Sequence, residues 1–155
     1  MIIDKIFTDT GAVIDDLFED ATRVTAPLAQ LRAAAELLVR GIARAAERGP
    51  STTTARTTDA LVAHGERIST LVLTELLLER GHKVMAVDAR DVIRTNAAYG
   101  KAKPIPGQIL QRAHQHIGPH LAHGTAIVTQ GYVGSAPDGS TTTLGRGASD
   151  WTAAL

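Results

Sequence analysis

At 155 residues the chain is long enough for one domain with a real core and too short for two. Its 16 basic and 16 acidic residues cancel, so nothing global argues for nucleic acid or an anionic membrane, and aromatics at 3% leave no stacking surface for single strands. The absence of cysteine excludes a disulfide framework, a thiolate metal site and a cysteine nucleophile.

The N-terminus, Met1-Ile2-Ile3-Asp4-Lys5, carries charge in its first turns and no long apolar stretch, so no secretory signal is expected. No apolar run approaches the roughly 20 residues that span a bilayer. The first half reads as helical. Val13, Leu17 and Phe18 form a weak amphipathic stretch. Leu28, Leu31, Ala34, Ala35, Leu38 and Ile42 then recur at helical spacing, with Pro27 suited to a first turn. Gly49-Pro50 should stop that helix, and Ser51 to Thr54 should form a polar bridge. A long helix is predicted from about Thr57 to Arg80, ended by Gly81.

Beyond Gly81 the pattern changes. Lys83 to Asp88 reads as a buried strand ending in an acid, and Val92 to Asn96 as a short extended piece. Tyr99 to Pro106 is a loop or irregular strand. A helix from about Gly107 to Leu121 and a strand over Thr125 to Gln130 follow. This rhythm predicts an α/β domain with a largely parallel sheet. Such sheets usually open with a strand carrying the first binding loop. This chain opens with helices and stops about one turn into the helix after its last glycine loop, so a central piece of a larger fold is expected.

Chemistry concentrates near the C-terminus. Thr141-Thr142-Thr143-Leu144-Gly145-Arg146-Gly147-Ala148-Ser149-Asp150 precedes Trp151 to Leu155, which reads as the start of a helix. A glycine turn feeding a helix aims backbone N–H groups outward and suits a carboxylate or phosphate. Arg146 adds a fork able to hold a carboxylate bidentately. Asp150 would weaken a pure anion trap, which points to a site that also organises a lysine, a metal ion or a nucleophile. The alternative is an exposed loop with Ser149 or Asp150 as a simple N-cap.

On the long helix, Val62, Glu66, Ser69 and Leu73 share a face, so Glu66 has apolar neighbours and needs a partner. That partner is either a ligand amine or a nearby arginine. Gly65 costs the helix about 1 kcal/mol relative to alanine, which suits close approach to the backbone. A second glycine element, Thr129-Gln130-Gly131-Tyr132-Val133-Gly134, follows a strand directly, where α/β sheets hold ligands. It would form one wall of a site, with Tyr132 packing on the ligand, unless it is an ordinary turn. His114, His116, His120 and His123 raise the question of a metal, but Pro119 interrupts their helix and no carboxylate completes a zinc set. Surface histidines are the preferred reading, and no metal ligands are assigned. A Walker loop is absent, and the surroundings of a nucleophile elbow are missing.

Four blocks together resemble the aspartate kinases of the amino acid kinase family: Leu61 to Ser69 with its His-Gly-Glu core, Val92 to Asn96, Val128 to Gly134, and Thr141 to Leu155. They stand in the family's order and at about its spacing. The resemblance implies part of a carbamate-kinase-like α/β/α sandwich, lacking its first strand and its nucleotide-binding half. Residues 1–56 would be a helical segment, and residues 57–155 an amino-acid-binding core.

The implied activity is ATP-dependent phosphorylation of the L-aspartate side-chain carboxylate in lysine, threonine and methionine biosynthesis, in the cytoplasm, with ATP and Mg2+ as cofactors. Glu66 would bind the substrate ammonium and Arg146 a substrate carboxylate. Ser149 would supply a hydroxyl, Tyr132 would line the pocket, and Asp150 would orient the catalytic lysine and the phosphates. Gly145, Gly147 and Thr143 would form the phosphate-facing loop.

The family's Lys-Phe-Gly-Gly-Thr-Ser motif is not in this chain, Ala148 stands where the family usually has a second glycine, and Trp151 replaces a smaller aromatic. The chain alone is therefore expected to be inactive. A kinase for another amino acid, such as glutamate, and a non-catalytic binding or assembly module are the alternatives. No nucleic acid or membrane partner is expected, and unpaired sheet edges would favour self-association.

Overall fold

The computed structural model describes residues 2–47, 49 and 52–154. Three helices open the chain: α1 (Ile2–Leu17), α2 (Thr22–Ala46) and α3 (Thr52–Glu79). Phe7 of α1 packs with Leu31 and Ala35 of α2 and Ile68 of α3, while Ile14 and Phe18 close on Val24. The buried side of α1 is thus Phe7 and Ile14, continued by Phe18 just past its end. Val13 and Leu17, expected to join Phe18 on one apolar face, are 49% and 39% exposed, because α2 lies against the neighbouring arc.

Pro27 lies inside α2 rather than in its first turn. The helix starts earlier because Val24, almost fully buried against Ile14 and Phe18, anchors a preceding turn. There the proline removes the hydrogen bond its own N–H would make to Arg23 C=O, and its ring crowds that carbonyl. Thr52 to Thr54, expected as a bridge, are already helical, so a division at residue 57 falls within α3. Pro50 and Ser51 lie outside the described residues. At its far end α3 stops as expected: Gly81 adopts φ 79°, its N–H donates to Leu78 C=O (3.0 Å), and His82 N–H donates to Leu77 C=O (2.9 Å).

The α/β part follows as β1 (Val84–Val87), α4 (Ala89–Val92), α5 (Pro106–His116), α6 (Gly118–Ala122), β2 (Ala126–Thr129), β3 (Val133–Ser135), β4 (Thr141–Thr143) and α7 (Ala148–Ala153). β1 and β2 pair in parallel, Val84 opposite Ala126 and Val87 opposite Thr129. The expected parallel sheet extends no further among the described residues. β3 and β4 form a separate antiparallel pair, because the tight turn over Pro137-Asp138-Gly139 returns the chain on itself; Asp138 Oδ1 accepts from Ser140 N–H (3.0 Å) there.

Val92 belongs to α4, and the expected extended piece shrinks to single bridges, Arg94 to Ser135 and Thr95 to Pro104. The helix predicted over 107–121 is broken at Ile117, where Gly118-Pro119 restarts it as α6.

One core joins the two halves. Ala63 of α3 meets Val87, Ala89, Val92, Ile93, Ile109 and Val133, with Leu144 and Trp151 at its edge. Burying each large aliphatic side chain here contributes about 1.5–3 kcal/mol. Among the described residues no helix is long and apolar enough to cross a membrane.

Candidate functional site

The buried residues of α3 are Asp59, Ala63, His64, Ile68, Thr70 and Thr74. The face expected to be partly buried is instead open, with Val62 and Leu73 each 48% exposed and Ser69 also exposed. Glu66 is half-buried at the border between the two. No hydrogen bond or ion pair ties it to a described residue, so the arginine-paired alternative is not realised. A Cβ at Gly65 would meet nothing within 4 Å, so no described atom makes the close approach expected there.

The two glycine elements meet each other. A Cβ on Gly131 would lie 2.7 Å from Ser149 Oγ and 3.0 Å from its Cα, so only a glycine lets the turn after β2 seat against α7. Leu144 N–H donates to Tyr132 C=O (3.0 Å), which fastens the same turn to the end of β4. Tyr132 is the one non-glycine among the described residues with positive φ, 66°. Such backbone costs on the order of 1–3 kcal/mol and persists where neighbours over-determine it.

Gly145 (φ 88°) and Gly147 (φ 76°) shape the turn into α7, and Gly147 is the residue at its N-cap. Ser149 and Asp150 lie in the first turn and neither caps it, so the simple N-cap alternative is not what forms. Arg146, Ser149 and Asp150 are exposed, and no hydrogen bond joins them to Glu66 among the described residues.

Thr143 differs from these. It is buried, and its hydroxyl donates inward to Asp59 Oδ1 (2.9 Å). Asp59 Oδ2 also accepts from Thr143 N–H (2.9 Å) and Gly100 N–H (2.8 Å). Sequence reasoning missed Asp59. The available signal was an acid seven positions before Glu66, on nearly the same side of the helix.

Residues 11–155 match the model of the amino acid kinase family. The chain belongs to that family. It is 42% identical over 125 residues to lysine-sensitive aspartokinase 3 of Escherichia coli, a match covering 81% of this chain and 28% of that protein. Aspartokinase 1 of Bacillus subtilis is 37% identical over 100 residues, covering 64% of this chain and 24% of the relative. The crystal structure of E. coli aspartokinase III in complex with aspartate and ADP superposes with a TM-score of 0.85 at 37% identity, covering 98% of this chain and 32% of that one. The chain therefore spans about a third or less of the relatives it matches. Its mixed helix and strand architecture is that of a portion of the family's α/β domain.

Against the family pattern, Ala148 is no obstacle. It is the first residue of α7 and buried, while the left-handed backbone falls on Gly145 and Gly147. At the end of β1, Asp88 accepts from Arg90 Nη2 (2.6 Å) and from Arg90 N–H (3.0 Å). Burial pushes the Asp88 carboxyl up, but these bonds and the Arg90 and Arg67 charges outweigh it and hold it below the ordinary range. Gln130 Oε1 accepts from Ala89 N–H (2.7 Å), locking the end of β2 to the start of α4.

Two cavities lie nearby. One of about 380 Å³ is lined by Arg67, Thr70, Asp88 and Gln130, and one of about 680 Å³ is an apolar groove between α4, α5 and α6. Among the described residues no three acids or histidines gather to hold a metal.

Proposed function

We propose that the chain is the amino-acid-binding part of an aspartate kinase, a cytoplasmic enzyme of lysine and threonine biosynthesis that phosphorylates the side-chain carboxylate of L-aspartate with Mg-ATP. Residues 57–155 carry the binding core and residues 1–56 the supporting helices. A carboxylate is already a nucleophile, so such an enzyme needs alignment and charge neutralisation rather than a strong base. Arg146 holds a substrate carboxylate, Glu66 the ammonium, and Ser149 donates a hydroxyl, with Tyr132 as a wall and Asp150 as the acid that orients a lysine. Gly145 and Gly147 let the turn face the reacting end.

The observation that supports this reading is the seat of Gly131 against Ser149, which brings the turn bearing Tyr132 against the start of α7. E. coli aspartokinase III, similar over almost the whole chain, is known with aspartate and ADP bound. Lys83 Nζ donates to His123 C=O, Lys5 pairs with Asp9, and the Thr143 hydroxyl is spent on Asp59, so these three groups are already engaged within the fold. No step through ATP is assigned to this chain.

Calorimetric titration of L-aspartate into the chain tests the reading. Binding should be lost in Arg146→Ala, and be weaker for L-glutamate and for N-acetyl-L-aspartate, whose blocked amine has no use for Glu66. Equal affinity in Arg146→Ala would sink the reading, and preference for glutamate would assign the site to another kinase of the family.

A further inference from the structure

Asp59 is 4% exposed, and among the described residues no arginine or lysine neutralises it. Burying a carboxylate is costly unless its lone pairs are taken up. Here both oxygens are used by donors from two separate segments: Thr143 N–H and Oγ1 on β4, and Gly100 N–H on the loop between α4 and α5.

These two segments support the glycine turn. Thr143 is two residues before Gly145. The Gly100 carbonyl oxygen is 3.8 Å from where a Gly145 Cβ would stand, so this loop packs directly against the turn. Ala102 N–H donates to Thr143 C=O (2.9 Å), and Thr95 and Thr142 share a buried hydroxyl pair at 2.7 Å, so loop and strand are also stitched to each other. On the helix side, Asp59 and Glu66 are seven residues apart, about 10 Å along one rigid element. A single carboxylate therefore connects the helix bearing Glu66 to the strand and loop that set the turn bearing Arg146.

We infer that Asp59 is a positioning residue: it fixes the spacing between Glu66 and the Arg146–Ser149 turn, acting through Thr143 and Gly100 without touching the ligand. This rests on the reading of Glu66 and Arg146 as an amino-acid-binding pair. An apolar side chain would leave Thr143 N–H, the Thr143 hydroxyl and Gly100 N–H without their acceptor, and an asparagine would keep one acceptor oxygen but lose the charge that strengthens all three bonds.

The test uses Asp59→Asn, Thr143→Val and Thr143→Ser, read by amide hydrogen exchange and L-aspartate calorimetry. Asp59→Asn and Thr143→Val should speed exchange at Leu144 and Ala102, whose amides donate to Tyr132 C=O and Thr143 C=O, by on the order of tenfold or more, with β1 and β2 unchanged, and weaken aspartate binding by a similar factor. Thr143→Ser, which keeps the hydroxyl, should stay near wild type.

Acceleration spread evenly over β1, β2 and the turn would mean a purely structural role and overturn the inference. So would Thr143→Ser behaving like Thr143→Val, or local loosening with unchanged affinity. If Asp59→Asn does not fold, the two Thr143 variants decide alone. If the wild-type chain binds no aspartate, the proposed function of the isolated chain fails, and the exchange pattern still decides whether Asp59 sets the turn.

Discussion

Gly131 and Ser149 are in van der Waals contact across the junction of the two glycine elements, so close that a methyl on Gly131 would stand 2.8 Å from Ser149 Cβ. Backbone as well as side chain blocks it, so rotating the serine cannot make room. Gly131→Ala should push α7 away from the turn after β2, at a cost of about 1–3 kcal/mol. Thermal melting should fall accordingly, and L-aspartate binding should weaken with it. Gly107→Ala is the control: a Cβ there meets nothing within 4 Å, and in a helix it should raise stability by up to about 1 kcal/mol. Equal melting temperatures for the two variants would refute the contact's importance.

Ala148 gives a prediction of the opposite kind. Its methyl is buried at the first position of α7, and its backbone is helical. Restoring the glycine usual in aspartate kinases should therefore destabilise this chain. Ala148→Gly should cost about 0.5–1 kcal/mol in urea unfolding, from added chain entropy and the lost methyl contact. A gain in stability would show that the alanine strains the loop after all.

What the residues announced in advance was mostly local chemistry. Gly81 marks its helix end because only a residue tolerant of positive φ closes that cap, and the glycine run before α7 is readable for the same reason. β1 and β2 stand out as short apolar runs. Which arc of α1 is buried is not local: Val13 and Ile14 look equivalent until α2 is laid against one of them. Asp59 was hidden for a stronger reason. Its partner Thr143 is 84 residues away, and nothing in either neighbourhood signals the pairing. Thr143 itself was expected on the phosphate-facing loop, and only the fold reveals that its hydroxyl points inward.

Gly134 lies where β3 passes the segment after α4. A Cβ there would meet the Ile93 carbonyl oxygen at 2.7 Å and Thr95 Cγ2 at 2.8 Å. That carbonyl accepts from Ser135 N–H (2.9 Å), and Ser135 C=O accepts from Thr95 N–H (2.9 Å). Gly134→Ala must either break this bridge or displace β3, so a loss of about 1–3 kcal/mol is expected. The urea midpoint should drop, and exchange at Thr95 and Ser135 should rise first. An unchanged midpoint would mean that β3 shifts freely.

His64 should give the chain a stability that depends on pH. It is 6% exposed, and its Nδ1–H donates to Ala60 C=O (2.8 Å), which leaves Nε2 a buried lone pair with no partner among the described residues. Burial pushes its pKa below the ordinary value of about 6.5; the bond to Ala60 opposes this in part, and the Arg67 and Arg90 charges reinforce it. With the folded pKa depressed, the unfolded chain binds the proton more tightly. The contribution is therefore fully present above pH 6.5 and is lost as pH falls from there toward the folded value. The slope in that window is at most about 1.4 kcal/mol per pH unit. Urea unfolding of wild type and His64→Phe at pH 7.5, 6.5 and 5.5 checks this. The wild type should lose stability relative to the variant only in the lower interval. Parallel curves across all three pH values would mean that His64 takes up its proton without opening the core.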